Sequence, residues 1–109
     1  MKTLKKEHLK EMIDKKEDMV LVNVLPKEYF GKQHIPGSIN IPVEDKDFDK
    51  KVMEHMPDKS KKVVVYCANS ECQASPNAAK KLEQMGYTNV YDYEGGIKDY
   101  CETMMCATA

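Results

Sequence analysis

Arginine and tryptophan are both missing from this chain of 109 residues, and all 17 of its basic residues are lysines. Without a guanidinium there is no planar fork to grip an oxyanion through two parallel hydrogen bonds, so mechanisms that require one are excluded. No apolar run approaches the roughly 20 residues that a membrane-spanning helix needs. Residues 1–7 enter a charged pattern directly, with no apolar stretch to serve as a secretory signal, and a cytoplasmic location is expected. Neither sign of charge is in excess: 18 acids interleave with the lysines for a net charge of −1. That balance argues against a nucleic-acid footprint, and no membrane partner is expected. The chain has no internal repeat and no linker long enough to divide domains.

What is present fits a soluble α/β protein. A length of 109 residues and a hydrophobic fraction of 41% suit one domain spanning 1–109, with a modest core over about 4–100 and a tail at 101–109. Four cysteines occur, Cys67, Cys72, Cys101 and Cys106, as two pairs with four residues inside each. In a chain without a secretory signal, redox, catalytic or metal roles outrank structural disulfides.

Strand and helix patterns alternate. Residues 19–24 (Met-Val-Leu-Val-Asn-Val) and 63–66 (Val-Val-Val-Tyr) are continuous apolar runs, as expected of strands buried on both faces. Residues 39–42 and 89–93 read as shorter strands, the first bracketed by Pro36 and Pro42 and so placed near an edge. Thr3 reads as the cap of a first helix whose stripe carries Leu4, His8, Leu9, Met12 and Ile13 and which ends near Lys16. A short helix follows Pro26 and closes at Gly31, and another runs from Asp45 or Asp47 to Pro57. Ser75 as cap and Pro76 at the first position open a helix that stops at Gly86, and a last helix starts after Gly95-Gly96. This alternation predicts a parallel sheet covered by helices.

Cys67 stands where the second apolar strand ends and a helix is about to begin. A helix N-terminus offers unpaired N–H groups and the positive end of its dipole, which together favour a thiolate and make it a nucleophile near neutral pH. The loop of Ala68, Asn69, Ser70, Glu71, Cys72, Gln73, Ala74 and Ser75 is expected to curl round that sulfur. Its amides, the hydroxyls of Ser70 and Ser75 and the amide of Asn69 would act as donors. The bland alternative is an inert cysteine at a strand end.

Three segments resemble the rhodanese family: His34-Ile-Pro-Gly-Ser-Ile-Asn-Ile-Pro42, Val63-Val-Val-Tyr-Cys67 and Gly86-Tyr-Thr-Asn-Val-Tyr-Asp-Tyr-Glu-Gly-Gly-Ile97. They occur in the family's order and spacing and extend the likeness over about residues 4–100. The resemblance implies a three-layer α/β/α fold with a central, mostly parallel sheet of about five strands. It further implies sulfur transfer, with a sulfane sulfur carried as a persulfide on Cys67. A small donor (persulfide, polysulfide or thiosulfate) would load it, a thiol or partner protein would accept it, and no cofactor is required. Asn23 and Leu25 replace an Asp and an Arg common in the family, the loop after Cys67 is about two residues longer, and Tyr100 takes the place of the late aromatic.

No lysine lies between Tyr66 and Ala79, and Glu71 repels a dianion, so a persulfide or polysulfide donor is expected over thiosulfate. Cys72 is a candidate resolving thiol for Cys67, against the plainer reading of a small loop residue. Cys101 and Cys106 are expected to pack at a helix end beside Met104 and Met105. A zinc site joining both pairs has permissible spacing but would leave the strand–cysteine–helix context unexplained, so no metal is assigned. His34 is expected to fix the turn before Pro36-Gly37, and His8 and His55 to lie at the surface. Two rival functions remain: a silent rhodanese-like interaction module, and an oxyanion enzyme acting on arsenate or phosphate, which the lack of arginine disfavours.

Overall fold

The computed structural model describes residues 2–107, and strands alternate with helices throughout them. In chain order these are β1 (Lys2–Leu4), α1 (Lys6–Asp14), β2 (Met19–Asn23), α2 (Lys27–Lys32), β3 (Ile39–Asn40), α3 (Phe48–His55), β4 (Lys62–Tyr66), α4 (Ala74–Gln84), β5 (Val90–Tyr93) and α5 (Gly96–Thr103). The strands form a single five-stranded sheet in the order β1-β5-β4-β2-β3. Every pairing is parallel, so the sheet is wholly rather than mostly so. The two apolar runs occupy inner positions, with Val22 opposite Val65 and Leu21 opposite Val64.

Side chains alternate across the sheet and build two cores. Val22, Val63, Val65 and Val90 face one way, under Phe48 and Val52 of α3 and Ala78, Ala79 and Leu82 of α4. Leu21, Val64, Tyr66 and Tyr93 face the other way, under Leu9 and Met12 of α1 and Tyr100 of α5. Each fully buried aliphatic side chain contributes about 1.5–3 kcal/mol. β-branched residues therefore suit the central strands twice over, by burial and by backbone preference.

The structure corrects several local readings. Thr3 caps no helix: residues 2–4 form an edge strand in register with β5, and α1 begins at Lys6 after an extended Lys5. Three residues are too few to show a period, and this strand exists only because β5 offers a partner. Gly31 lies inside α2 rather than closing it. Ser75 is not a cap: Gln73 already has helical dihedrals, α4 starts at Ala74, and the Ser75 side chain is buried. Gly86, at φ +100°, does stop α4, in a conformation that side chains other than glycine's disfavour.

The tail also differs from expectation. Cys101 and Cys106 are joined as a disulfide, with Cα atoms 5.7 Å apart, and the chain then returns to pair Ala107 with His34 through two bonds of 2.9 Å. Met104 packs on the core, but Met105 is 90% exposed. Thr108 and Ala109, assigned to the tail, lie outside the described residues, as does Met1. His34 bonds backward through Nδ1 to the Phe30 carbonyl at 2.9 Å and stacks on the Phe30 ring. The turn after it is closed instead by Ser38, whose hydroxyl donates to the Ile35 carbonyl at 2.7 Å. His8 and His55 are exposed.

Leu9, at 0% exposure, pins α1 to the sheet. Leu9→Ala is expected to cost about 3 kcal/mol. A urea titration checks this: the midpoint falls while the slope stays that of the parent.

Candidate active site

β4 delivers Cys67 to the carboxyl edge of the sheet, where parallel α/β folds gather their ligand-binding loops. Two helices start at this edge. The first amides of α4, those of Ala74 and Ser75, have no partner within their own helix. At α5 the early amides turn to the loop: Ile97 N–H donates to the Cys67 carbonyl and Lys98 N–H to the Ala68 carbonyl, both at 2.9 Å. This close approach requires Gly96. Its φ is +65°, and a Cβ there would collide with the Cys67 carbonyl oxygen and come within 2.9 Å of Asn69 N.

The loop after Cys67 is organised by Asn69. The Asn69 side-chain oxygen accepts from Glu71 N–H at 3.0 Å, and its carbonyl accepts from Cys72 N–H at 3.2 Å. This tight turn folds Cys72 back over Cys67, and the two sulfurs are bonded across a Cα separation of 6.5 Å. The arrangement departs from the expected ring of donors. The amides of Glu71 and Cys72 are engaged by Asn69, whose side chain presents oxygen rather than N–H. Ser70 lies exposed at the rim. In this oxidised state Cys67 is 1% exposed. Besides Cys72, its sulfur has the Ser75 hydroxyl at 3.6 Å and the Asn69 carbonyl at 4.0 Å. Of the residues predicted for the site, Cys67, Asn69, Cys72 and Ser75 converge. Ala68 serves through its carbonyl, while Glu71 and Gln73 point outward as exposed residues. The two cysteine pairs are not brought together: Cys67 and Cys72 belong to the α3/α4 face and Cys101 and Cys106 to the opposite face.

The edge is braced from behind. The Tyr66 hydroxyl accepts from Ile35 N–H at 3.1 Å and shares a 2.7 Å bond with Ser38, which ties the turn at residues 34–38 to β4. Burial pushes the Tyr66 phenol up, against the pull of the Ser38 bond. Where an Asp and an Arg are common, Asn23 accepts from Leu25 N–H at 2.9 Å through its side-chain oxygen, and Leu25 packs on the core. Asn40 then donates to the carbonyls of Asn23 and Leu25 at 3.1 and 2.9 Å. A neutral amide network stands in for the ion pair.

Two features escaped the sequence reading. One is Asp92, 1% exposed on β5, whose Oδ1 has no hydrogen-bond partner among the described residues; its inward phase alternates with Tyr91 and Tyr93 as a period of two. The other is a cleft of about 610 Å³ that opens beside Asn69, Ser70 and Glu71. Lys5, Lys6 and Lys98 line it, together with Glu7, Glu94, Asp99 and Glu102. These lysines come from the α1 and α5 ends, so a search confined to the loop could not find them. Tyr93 donates to Asp99 at 2.6 Å on its wall, and burial with that neighbouring carboxylate drives the Tyr93 phenol strongly upward.

A parallel sheet ending in this cysteine loop defines a class. The family model described as "Rhodanese-like domain" matches residues 5–103, and the chain belongs to that family. Among its relatives, the Escherichia coli (strain K12) protein named "Thiosulfate sulfurtransferase PspE" is 36% identical over 78 residues, which is 72% of this chain and 70% of that protein. The Saccharomyces cerevisiae "Thiosulfate:glutathione sulfurtransferase" is 29% identical over 104 residues, covering 86% of this chain and 73% of the relative. Among solved structures, the BH2092 protein from Bacillus halodurans superposes with a TM-score of 0.86 at 27% identity, over 98% of this chain and 77% of that one.

Gly96→Ala combines a left-handed backbone with a collision against the Cys67 carbonyl. It is expected to lower stability by about 2–4 kcal/mol, measured by urea unfolding. A second mark is expected in hydrogen exchange: faster exchange at Ile97 and Lys98, whose amides hold the loop.

Proposed function

We propose that the chain is a sulfurtransferase that carries sulfane sulfur on Cys67. The observation that carries this reading is the position of Cys67, at the end of a central strand, against the start of α4 and within bonding reach of a second thiol. The names of the relatives support the chemistry. The Cys67 thiolate attacks the outer sulfur of a donor R–S–SH and RS⁻ departs, leaving Cys67–S–SH. An acceptor thiolate then attacks the terminal sulfur, forms its own persulfide and regenerates the Cys67 thiolate.

Cys72 supplies a second exit. Its thiolate attacks the Cys67 sulfur, hydrosulfide leaves, and the disulfide seen here forms, to be reopened by an external thiol. This reaction discharges a loaded enzyme that meets no acceptor, and it shields Cys67 from overoxidation. The residues of the loop contribute mainly shape: Asn69 makes the turn that swings Cys72 onto Cys67.

The donor class follows from charge. The loop itself has no cation, and the lysines across the cleft face a larger number of carboxylates. A singly charged or zwitterionic persulfide suits such mixed walls better than the thiosulfate dianion.

Loading wild type, Cys67→Ser and Cys72→Ser with cysteine persulfide, polysulfide or thiosulfate tests these steps by mass spectrometry and turnover. Wild type is expected to gain one sulfur on Cys67. Cys67→Ser is expected to lose turnover by about a thousandfold or more. Thiosulfate turnover well above that with either persulfide donor would overturn the donor reading.

The resolving step has its own readout. Loaded wild type is expected to release hydrosulfide and accumulate the Cys67–Cys72 bond, while Cys72→Ser retains its persulfide longer. Equal persulfide lifetimes in the two proteins would remove Cys72 from the mechanism.

A further inference from the structure

The second cysteine pair takes no part in the proposed reaction, and the fold gives it a separate place. Cys101 lies in the last turn of α5 and Cys106 beyond the end of that helix, on the face of the sheet opposite Cys67. Both are partly exposed, and Glu102, Thr103 and Met105 between them are fully so. Their bond, across a Cα separation of 5.7 Å, is therefore within reach of a small thiol in solution. The negative end of the α5 dipole disfavours a thiolate at Cys101, the reverse of the setting of Cys67 at the start of α4. The pair is thus poorly equipped as a second sulfur carrier, and its chemistry is that of thiol–disulfide exchange.

What the bond holds is the segment after α5. Met104 N–H still donates to the Tyr100 carbonyl at 3.0 Å, and Met104 packs on the core beside the two cysteines. Ala107 then forms an antiparallel bridge with His34, each N–H donating to the other's carbonyl at 2.9 Å. The bridge is isolated: no strand extends it among the described residues. Two partly exposed backbone bonds trade for bonds to water at little net cost, while ordering residues 104–107 costs entropy. Cys106 immediately precedes Ala107. With Cys106 tied to α5, Ala107 stays beside His34 even when the bridge opens, so the open states are few and reclosure is fast. With the bond cut, residues 104–107 can leave the surface. His34 in turn begins the 34–38 turn, which Ile35 and Ser38 fasten to the Tyr66 hydroxyl. The bridge therefore joins the end of α5 to the turn behind the cysteine strand.

We propose that Cys101–Cys106 is a site of reversible thiol–disulfide modification, with a low-molecular-weight thiol and its disulfide as reactants, and that its oxidation latches residues 104–107 onto His34. To open the bond, a thiolate RS⁻ attacks one sulfur and the other leaves as a protein thiolate. A second RS⁻ attacks the RS sulfur of the mixed disulfide, RS–SR departs, and the second protein thiolate is released. Two thiols are oxidised, the pair is reduced, and the two protons given up by the thiols end on Cys101 and Cys106. RS–SR closes the bond by the reverse steps. The site does not depend on sulfur transfer by Cys67.

The test uses reduced and oxidised glutathione as thiol and disulfide. Cleavage by trypsin after Lys62, Lys80 and Lys98 releases the two cysteine pairs on separate peptides, so alkylation and mass spectrometry read the tail pair by itself. Reduced glutathione is expected to open Cys101–Cys106 in the folded protein, with the far-ultraviolet circular dichroism unchanged, and glutathione disulfide to close it again. A bond that opens only in urea overturns the modification site. Amide hydrogen exchange followed by NMR reads the latch. The His34 and Ala107 amides are expected to exchange at least about tenfold faster once the bond is open. The Cys101→Ser/Cys106→Ser variant, kept oxidised so that Cys67–Cys72 stays closed, is expected to show the same acceleration. The Tyr87 amide, bonded to the Leu82 carbonyl on the other face of the sheet, is the reference and is expected to be unchanged. Unaltered exchange at His34 and Ala107, or an acceleration that Tyr87 shares, overturns the latch. If the double variant fails to fold, Cys106→Ser takes its place, since Cys106 lies outside the helices.

Discussion

The contact between the start of α5 and the backbone of Cys67 governs the site. Ile97 and Lys98 N–H groups hold the carbonyls of Cys67 and Ala68, and only a glycine at position 96 lets the two segments approach. With its first carbonyls anchored, the loop cannot swing outward. Its remaining residues must curl over the end of β4, and the Asn69 turn then carries Cys72 onto Cys67. The helix termini at this edge thus have separate tasks. The amides of α5 hold backbone, while α4 brings Ser75 to the sulfur.

The oxidised loop and the proposed reaction are two states of one device. Joined to Cys72, the Cys67 sulfur is closed off and two of the loop amides are occupied by Asn69. A cleft opens beside residues 69–71 of the same loop. The walls of that cleft come from three places far apart in the chain, namely the β1–α1 junction, the loop itself and the β5–α5 corner. The lysines that the loop lacks are supplied there, diluted by carboxylates. Behind the edge, the Asn23–Asn40 network is likewise built from neutral amides and backbone groups.

Much of this was legible beforehand because it depends on local pattern. The apolar runs that became β2 and β4 announced inner strands by their lack of alternation. Gly86 marked the end of α4, since few other residues accept its backbone angle. The segments around His34, Cys67 and Gly95 carried the family likeness. What failed was whatever takes its meaning from a distant partner. Residues 2–4 look helical until β5 lies beside them. Ser75 looks like a cap until α4 starts at Ala74 and its hydroxyl is buried 3.6 Å from the Cys67 sulfur. His34 looks like a turn residue until Phe30 and the returning Ala107 claim it.

Composition and local period already carry the alternating fold, the strand that ends in Cys67 and the absence of any guanidinium, because both are properties of neighbours along a chain. Only when the layers close does Cys72 reach Cys67, do lysines from the α1 and α5 ends share a cleft, and does Asp92 become buried. Those outcomes depend on distances across the sheet and on the removal of water from a carboxyl group. A linear string of residues specifies neither until the layers close.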